Sequence, residues 1–275
     1  MTTAPMSTPQ PAGTERSAAE EARISELTAV VTGAASERGI GRGVALRLAA
    51  QGRPLALLDL DEQGLATAAE QARAAGSPAV LTAQVDIADQ GSVDRALSAV
   101  EASSLPPVGA LISCAGIANP TRFLDTTSED FLRTLSVNTL GTFHLAQRVL
   151  PGMLEQGLGR IVAMSSTAAQ DGGGNFSTSA YAASKAGVEG LIRGLAKEVA
   201  GTGVTTAAIA PANIDTDIMG GRLEGERREQ FVARTPVGRL GTVEELGELV
   251  AFLVGPHGGF TTGATYNLNG GLRVG

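Results

Sequence analysis

Residues 27–50 read LTAVVTGAASERGIGRGVALRLAA. The first seven form a short apolar, β-branched run that ends in Gly33, which suits a buried strand; from about Gly39 the spacing predicts a helix. A buried strand, a Gly-rich turn and a helix N-terminus together make an anion cradle. The glycines let the backbone approach a pyrophosphate, and the helix end presents N–H groups that have no partner inside the helix. Gly33, Gly39 and Gly41 are the candidate cradle residues. Gly-rich turns join many strands to helices, so the neighbouring units have to decide the fold.

Downstream, residues 54–60 (PLALLDL) read as a second buried strand, with Asp59 near its end, eighteen residues beyond Gly41. A dinucleotide fold places there the acid that accepts from the adenosine ribose hydroxyls, and the same charge repels a 2′-phosphate. Asp61 reads instead as the N-cap of the next helix. Arg38 points the other way, because a basic group beside the cradle could receive a phosphate. Residues 79–85 (AVLTAQV) are a third strand followed by Asp86, and residues 91–101 a helix. Residues 108–113 (VGALIS) are a fourth strand, ending in Cys114-Ala115-Gly116, small residues that suit either a flat ring lying on the backbone or a tight turn. Four strand–helix units in succession predict an α/β fold with a parallel sheet and right-handed crossovers.

Residues 127–130 (TSED) cap a helix expected to run to about Leu154, with Asn138 inside it, a poor mid-helix residue that bonds backbone locally. Residues 159–166 (GRIVAMSS) are the fifth strand; it delivers Ser165 and Ser166 to the sheet edge, and only one of them can face the site. Next comes SAYAASKAG at residues 179–187, where Tyr181 and Lys185 are four apart and share a helix face. A phenol titrates near ~10, and a cation within ~4–6 Å favours the phenolate, so this pair makes an acid–base group. A buried Tyr beside a snorkelling Lys would show the same five residues. Against that stands usage: the chain has two tyrosines and two lysines but nineteen arginines, and it keeps a lysine here. Gly187, Gly190 and Gly194 on this helix each cost about 1 kcal/mol relative to Ala, so close packing on another helix, in this chain or a second subunit, is expected. Residues 203–210 are a sixth strand, 219–239 an arginine-rich lid, 242–254 a helix and 264–268 the last strand.

Two hundred and seventy-five residues at 43% apolar suffice for one large core, and no break in composition divides the chain after the first 26. Residues 1–26 are read as a disordered tail whose last few residues are helical, and residues 27–275 as a single dinucleotide-binding domain. The tail has neither a basic start nor an apolar core, so it is not read as a targeting signal. A net charge of -7 argues against nucleic acid and against an anionic membrane surface. The single cysteine, Cys114, excludes an intramolecular disulfide and a cysteine-rich metal site, and no metal is expected. His144 falls in a helical pattern and His257 in a Gly-rich turn, both read as structural. No apolar run approaches ~18 residues, so no membrane span is expected and the location expected is cytoplasmic.

As an ordered set, TG…GIG at residues 32–41, Asp59, Asp86, Ala115-Gly116, Asn138, Ser166, Tyr181 with Lys185, Pro-x-x-Ile-x-Thr at 211–216, residues 239–245 and Gly270-Gly271 resembles the short-chain dehydrogenase/reductase family over residues 27–271. The resemblance implies a Rossmann-type doubly wound parallel sheet of about seven strands with helices on both faces. It also implies a nicotinamide cofactor, NAD(H) preferred and NADP(H) not excluded, and interconversion of a secondary alcohol (small alcohol, polyol or sugar) and a ketone. A homo-oligomer, tetramer or dimer, acting on a small-molecule substrate, belongs to the same implication. Carried over residue by residue, Tyr181 is the acid–base, Lys185 binds ribose and lowers the Tyr181 pKa, Ser166 holds the substrate oxygen, and Asn138 seats a relay water. Ser166 is preferred to Ser165 because it is the eighth residue of GRIVAMSS, where family members carry the active serine. Gly33, Ser36, Arg38, Gly39, Ile40 and Gly41 line the phosphate end of the cofactor. Asp59 takes the ribose and Asp86 touches adenine, and Ile87, Ala115 and Gly116 are further cofactor-binding residues. Pro211, Ile214 and Thr216 meet the nicotinamide end, Ile214 at the carboxamide and Thr216 at the amide or a phosphate.

Four features depart from the family pattern. Gly39 and Gly41 stand at +6 and +8 from Gly33, two residues later than usual, as in the enoyl reductase branch. That branch separates its Tyr and Lys by six residues, and Val188 occupies that place here, so the branch is rejected. Cys114 replaces a structural Asn, Ala212 replaces a Gly, and the interval from Ser166 to Tyr181 is two residues longer than common. A 3-oxoacyl-thioester (acyl carrier protein or CoA) reductase is the main alternative, with Arg222, Arg227, Arg228, Arg234 and Arg239 to receive a phosphopantetheine or an acidic carrier. Interleaved Glu224, Glu226 and Glu229 favour an ordinary solvated helix. A catalytically silent NAD-binding interaction protein is the second alternative. A lyase or dehalogenase on this fold is disfavoured, because such relatives give up the glycine-rich loop.

Overall fold

A computed structural model describes residues 17–174, 178–218 and 221–274. Seven short strands make the sheet: β1 (Thr28–Thr32), β2 (Leu55–Asp59), β3 (Val80–Gln84), β4 (Val108–Ser113), β5 (Gly159–Met164), β6 (Val204–Pro211) and β7 (Ala264–Leu268). All pair in parallel, in the order β3-β2-β1-β4-β5-β6-β7. The inner strands carry apolar residues without alternation because both faces are covered. Ala29 and Val31 turn to one core and Val30 to the other, and Leu57 and Leu58 divide in the same way.

The helices are α1 (Ala18–Ala22), α2 (Ile40–Ala49), α3 (Glu62–Ala74), α4 (Gln90–Glu101), α5 (Ser128–Leu135), α6 (Gly141–Gln156), α7 (Ala168–Asp171), α8 (Ser179–Glu198), α9 (Gly225–Arg234) and α10 (Val243–Leu253). Val44, Leu48, Leu65, Ala68, Leu246 and Val250 bring α2, α3 and α10 onto one face of the sheet. Val93, Leu97, Leu145, Val149, Val188 and Ile192 bring α4, α6 and α8 onto the other. Asp61 caps α3 by accepting from the Gln63 N–H at 3.0 Å, as its position predicted. Because β1 lies between β2 and β4, the direction of winding reverses at the carboxyl ends of β1 and β4. That reversal leaves a crevice where ligands enter such sheets.

Four expectations change in detail. The helix expected to run unbroken to Leu154 is interrupted by a π-helical turn at Ser136–Leu140, which holds Asn138. Such turns insert an extra residue and re-aim side chains, often at functional sites. Just under half of the expected lid is the helix α9, none of whose residues is buried; Met219 and Gly220 lie outside the described residues. Among the described residues, Gly190 and Gly194 meet nothing at their Cβ positions, whereas a Cβ on Gly187 would come within 3.0 Å of the Thr139 side chain. Residues 1–16 of the expected tail lie outside the described residues. From Ser17 the chain has a definite structure: a capping box of Ser17 and Glu20 starts α1, which stays on the surface, Glu21 pairs with Arg160, and Ile24 is fully buried with Leu27 and Leu158. Charge and a buried isoleucine hold a stretch that composition alone assigns to the tail.

Candidate active site

The cradle forms as the order strand, turn, helix predicts. Gly39 caps α2 without a side-chain bond, so the first N–H groups of the helix are presented to the crevice. Gly33 adopts φ +70°, and a Cβ on it would lie 2.9 Å from the Ala115 nitrogen. A Cβ on Gly41 would lie 2.3 Å from the Gly33 carbonyl oxygen, so only glycine lets α2 pack this close to β1. The donor set and the bare backbone fit a pyrophosphate.

Around the cradle the cleft is walled by Ser36, Ile40, Asp59, Asp86, Ile87 and Ala115, with Gly116 and Thr216 further in. The Asp59 carboxylate accepts from the Ala35 N–H at 2.9 Å and the Leu60 N–H at 2.7 Å, tying the end of β2 to the glycine loop. Asp86 accepts from the Ala88 N–H at 2.9 Å and stands exposed at the cleft's edge. Ile87 is buried, and its carbonyl takes a hydrogen bond from His144 Nδ1 at 3.0 Å, which gives His144 a structural role. Arg38, read as a phosphate receiver, instead reaches Asp215 and Asp217.

Arg42 is a residue that motif reading passes over. Its buried guanidinium donates to the carbonyls of Ala34, Ala35 and Gly64, holding the loop from behind. Burial lowers its pKa, and the nearby carboxylates of Glu37, Asp59 and Asp61 oppose that. The β2 end of the cleft is therefore acidic. Thr32, in sequence only the first residue of the TG pattern, accepts the N–H groups of both Cys114 and Ala115 at 3.1 Å through its hydroxyl, filling the need for an acceptor where β1 and β4 end. Burial pushes the Cys114 thiol up to about 12, with Lys185 opposing, so it is inert at neutral pH.

The catalytic candidates come together beside the cleft. Ile40, Cys114, Gly116, Thr216 and Ile218 line both the cleft and an adjoining pocket that holds Ser166, Tyr181 and Lys185. Pro211 and Ile214 sit on its far wall. Ser166 is hydrogen-bonded to the Tyr181 side chain. Ser165, one residue earlier, turns to the helix side and bonds the Lys185 carbonyl at 3.2 Å and Glu189 at 2.9 Å. Alternation along the strand thus separates the two serines.

Lys185 lies within α8, with its ammonium 5.8 Å from the centre of the Tyr181 ring and donating to the Met164 carbonyl at 2.8 Å. Burial lowers Lys185 to about 8. Burial also raises Tyr181, with the Ser166 hydrogen bond opposing, so desolvation outweighs the downward pull expected of the lysine. Asn138 spends its amide on the protein: its oxygen accepts the Ile117 N–H at 2.9 Å, and its nitrogen donates to the Ile117 carbonyl at 3.0 Å and Ser184 Oγ at 2.9 Å. Gly116 is pressed against this cluster, since a Cβ there would lie 2.9 Å from the Asn138 oxygen and 3.3 Å from Lys185 Nζ. Phe231 and Arg234 of α9 reach the mouth of the pocket. Arg239 is committed elsewhere, in a two-pronged pair with Glu245 at 2.9 and 2.6 Å. Among the described residues no group of His, Cys, Asp and Glu could hold a metal ion, and no helix is long and apolar enough to cross a membrane.

The profile of a family described as enoyl-(acyl carrier protein) reductase matches residues 33–273. An uncharacterized short-chain type dehydrogenase/reductase, y4mP, of Sinorhizobium fredii is 36% identical over 247 residues, covering 90% of this chain and 97% of that protein. A 2-dehydro-3-deoxy-L-rhamnonate dehydrogenase (NAD(+)) of a Sphingomonas species is 38% identical over 250 residues, 90% of this chain and 96% of the other. The crystal structure of gox2181 superposes with a TM-score of 0.85 at 33% identity, covering 93% of this chain and 99% of that one.

Proposed function

The chain belongs to the short-chain dehydrogenase/reductase family, whose members act as oxidoreductases on CH–OH groups with NAD(P)(H), and from that premise we propose that it is an NAD(H)-preferring enzyme interconverting a small secondary alcohol, polyol or sugar and its ketone. The observation that carries the reading is the convergence of Ser166, Tyr181 and Lys185 on a pocket that opens into the dinucleotide-shaped cleft. The cofactor, when bound, supplies the hydride acceptor or donor. Ser166 fixes the substrate oxygen by a neutral hydrogen bond, and Tyr181 exchanges a proton with that oxygen. Lys185 places a cation near the Tyr181 ring and within reach of a ribose, and Asn138 positions α8 against the end of β4. The preference for NAD(H) rests on Asp59 with Glu37 and Asp61 nearby, three carboxylates that would repel a 2′-phosphate.

The test is a difference-absorbance screen at the reduced-nicotinamide band, with both cofactors and a panel of alcohols, polyols and ketones. Turnover of at least one free alcohol with NAD, faster than with NADP, is expected; turnover confined to NADP would overturn the cofactor preference.

A second reading, reduction of 3-oxoacyl thioesters, is favoured by Phe231 and Arg234, an apolar and a basic side chain that line the pocket beside Ser166 and Tyr181. Against it, Arg239 is paired and Arg222 lies 3.9 Å from Glu224, which leaves less positive charge for a carrier. Saturation on an acyl thioester but not on free polyols would decide for it. If the unaltered protein binds NADH but turns over nothing in the panel, and Tyr181→Phe binds NADH equally well, the chain is a silent binding protein.

A further inference from the structure

Arg38 lies in the lengthened glycine loop, between Ser36 and Gly39, which line one side of the cleft. Its Nη2 donates to Asp215 at 2.5 Å and its Nε to Asp217 at 3.1 Å, both on the segment that follows β6. Ser36, Gly39 and Ile40 wall the cleft on the loop side, and Thr216, Asp217 and Ile218 on the other. Asp215 sits on an anchored backbone: it donates its N–H to the Gly241 carbonyl at 3.0 Å, and Ile214 pairs with Gly241 as a single bridge. The three side chains are about a third exposed, at 30, 30 and 35%. They are thus open to salt yet dry enough to attract one another.

Resting on the dinucleotide reading of this cleft, we propose that Arg38, Asp215 and Asp217 form a bridge between its two walls that has to open before the cofactor leaves. The lengthened loop provides the reach, and the second carboxylate keeps the arginine engaged with the far wall instead of swinging to a phosphate. Arg38, Asp215 and Asp217 are positioning residues in this scheme: they act on the walls that enclose the cofactor, and the chemistry remains with Tyr181. The bridge also links the glycine loop to the segment carrying Ile214 and Thr216, so substrate-side and cofactor-side walls move together.

The experiment follows NADH fluorescence while bound NADH is displaced in a stopped-flow instrument. The samples are the unaltered protein, Arg38→Met, Arg38→Lys, and the double variant Asp215→Asn with Asp217→Asn, each at low and high sodium chloride. Release is expected to speed up on the order of three- to tenfold in Arg38→Met and in the double variant, the factor that one or two half-exposed ion pairs supply, with Arg38→Lys between. High salt is expected to speed release from the unaltered protein and to leave the double variant nearly unchanged. Equal release rates in all four proteins would overturn the bridge while leaving the dinucleotide reading intact. Slower release from the double variant would also overturn it, because the acids would then be competing with the phosphates for Arg38. Failure of the unaltered protein to bind either NADH or NADPH would remove the dinucleotide reading, and the bridge with it.

Discussion

The amide nitrogen of Asn138 donates to the hydroxyl of Ser184 across 2.9 Å, and Ser184 immediately precedes Lys185 on α8. Through the same amide Asn138 grips both backbone polar groups of Ile117, so one side chain joins the loop after β4 to the helix that carries Tyr181. Only a π-helical turn points it there. Asn138→Ala removes a partner from the half-buried Ile117 N–H and C=O and from the buried Ser184 hydroxyl, which keeps its bond to the Tyr181 carbonyl; the loss is about 1–3 kcal/mol in all, since water can reach the Ile117 groups from the cleft. Lower stability in urea and a fall in kcat larger than any change in KM are expected. An unchanged kcat would mean that the cross-link does not set the position of Tyr181.

Tyr181, itself buried, and the half-buried Ser166 share a hydrogen bond in the pocket. Replacing Tyr181 by Phe removes the only proton donor there that has an aromatic body to hold its place, and general acid–base help of roughly 10²–10⁴ should disappear. NADH titration should be unaffected, because the ring stays. A Ser166→Ala variant should lose activity as well. Ser165→Ala, facing Glu189, should lower stability more than turnover. Reversal of that order would mean that the strand presents its other face to the substrate.

Much of this was legible in the chain because each feature has a local cause. Strands buried on both faces leave runs such as VGALIS without alternation, and the last two residues of GRIVAMSS reach the crevice whatever the rest of the fold does. Asp61 announces itself as a cap by position alone. Illegible were features whose cause lies far along the chain. Arg38 finds its partners beyond β6, a relation no local pattern encodes. Arg42 resembles any helix-start arginine until the carbonyls of Ala34, Ala35 and Gly64 close around it. The π-helical turn at Ser136–Leu140 hides in a sequence with ordinary helical spacing, and only the odd placement of Asn138 hints at it.

Gly41 tests the cradle without touching any charge. A methyl group there would sit 2.3 Å from the Gly33 carbonyl oxygen, so Gly41→Ala must push α2 away from β1. Backbone cannot yield cheaply, and overpacking of this kind costs about 1–3 kcal/mol. Calorimetry should show NADH affinity falling by tenfold or more. Gly52→Ala makes a useful comparison, since nothing crowds its Cβ position and it lies outside the cleft; its φ of +74° should cost stability without loss of NADH affinity.

Asp59 does two jobs that one substitution can separate. Asp59→Asn keeps one oxygen, enough for the Ala35 N–H, while it removes the charge and the second acceptor that takes the exposed Leu60 N–H; Asp59→Ala removes both acceptors as well as the charge. If the charge repels a 2′-phosphate, Asp59→Asn should raise the ratio of NADPH to NADH affinity. Asp59→Ala should in addition weaken both cofactors by loosening the loop. Direct binding measurements on the two variants read these effects apart. An unchanged NADPH to NADH ratio in Asp59→Asn would move the source of discrimination to Glu37 and Asp61.

Lys185 and Tyr181 titrate in opposite senses, which gives the site a signature in stability. Burial holds Lys185 at about 8 in the folded protein against an ordinary value of 10.5. Between those values the unfolded chain still holds a proton that the folded protein has released, so stability rises with pH, by at most about 1.4 kcal/mol per pH unit. Below about 8 both states are protonated, and the folded protein carries the full cost of a buried ammonium. Tyr181 is raised above its ordinary 10.0, so above that pH the unfolded chain loses its phenol proton first and stability falls. Lys185→Met deletes the rise and keeps the fall. Urea midpoints for the two proteins, taken from pH 7 to pH 11, should therefore converge as pH climbs from about 8 to 10, the variant being the more stable at the low end. Parallel curves across that window would show that the Lys185 amine keeps its proton in the folded protein, through its bond to the Met164 carbonyl, and that burial does not govern its charge.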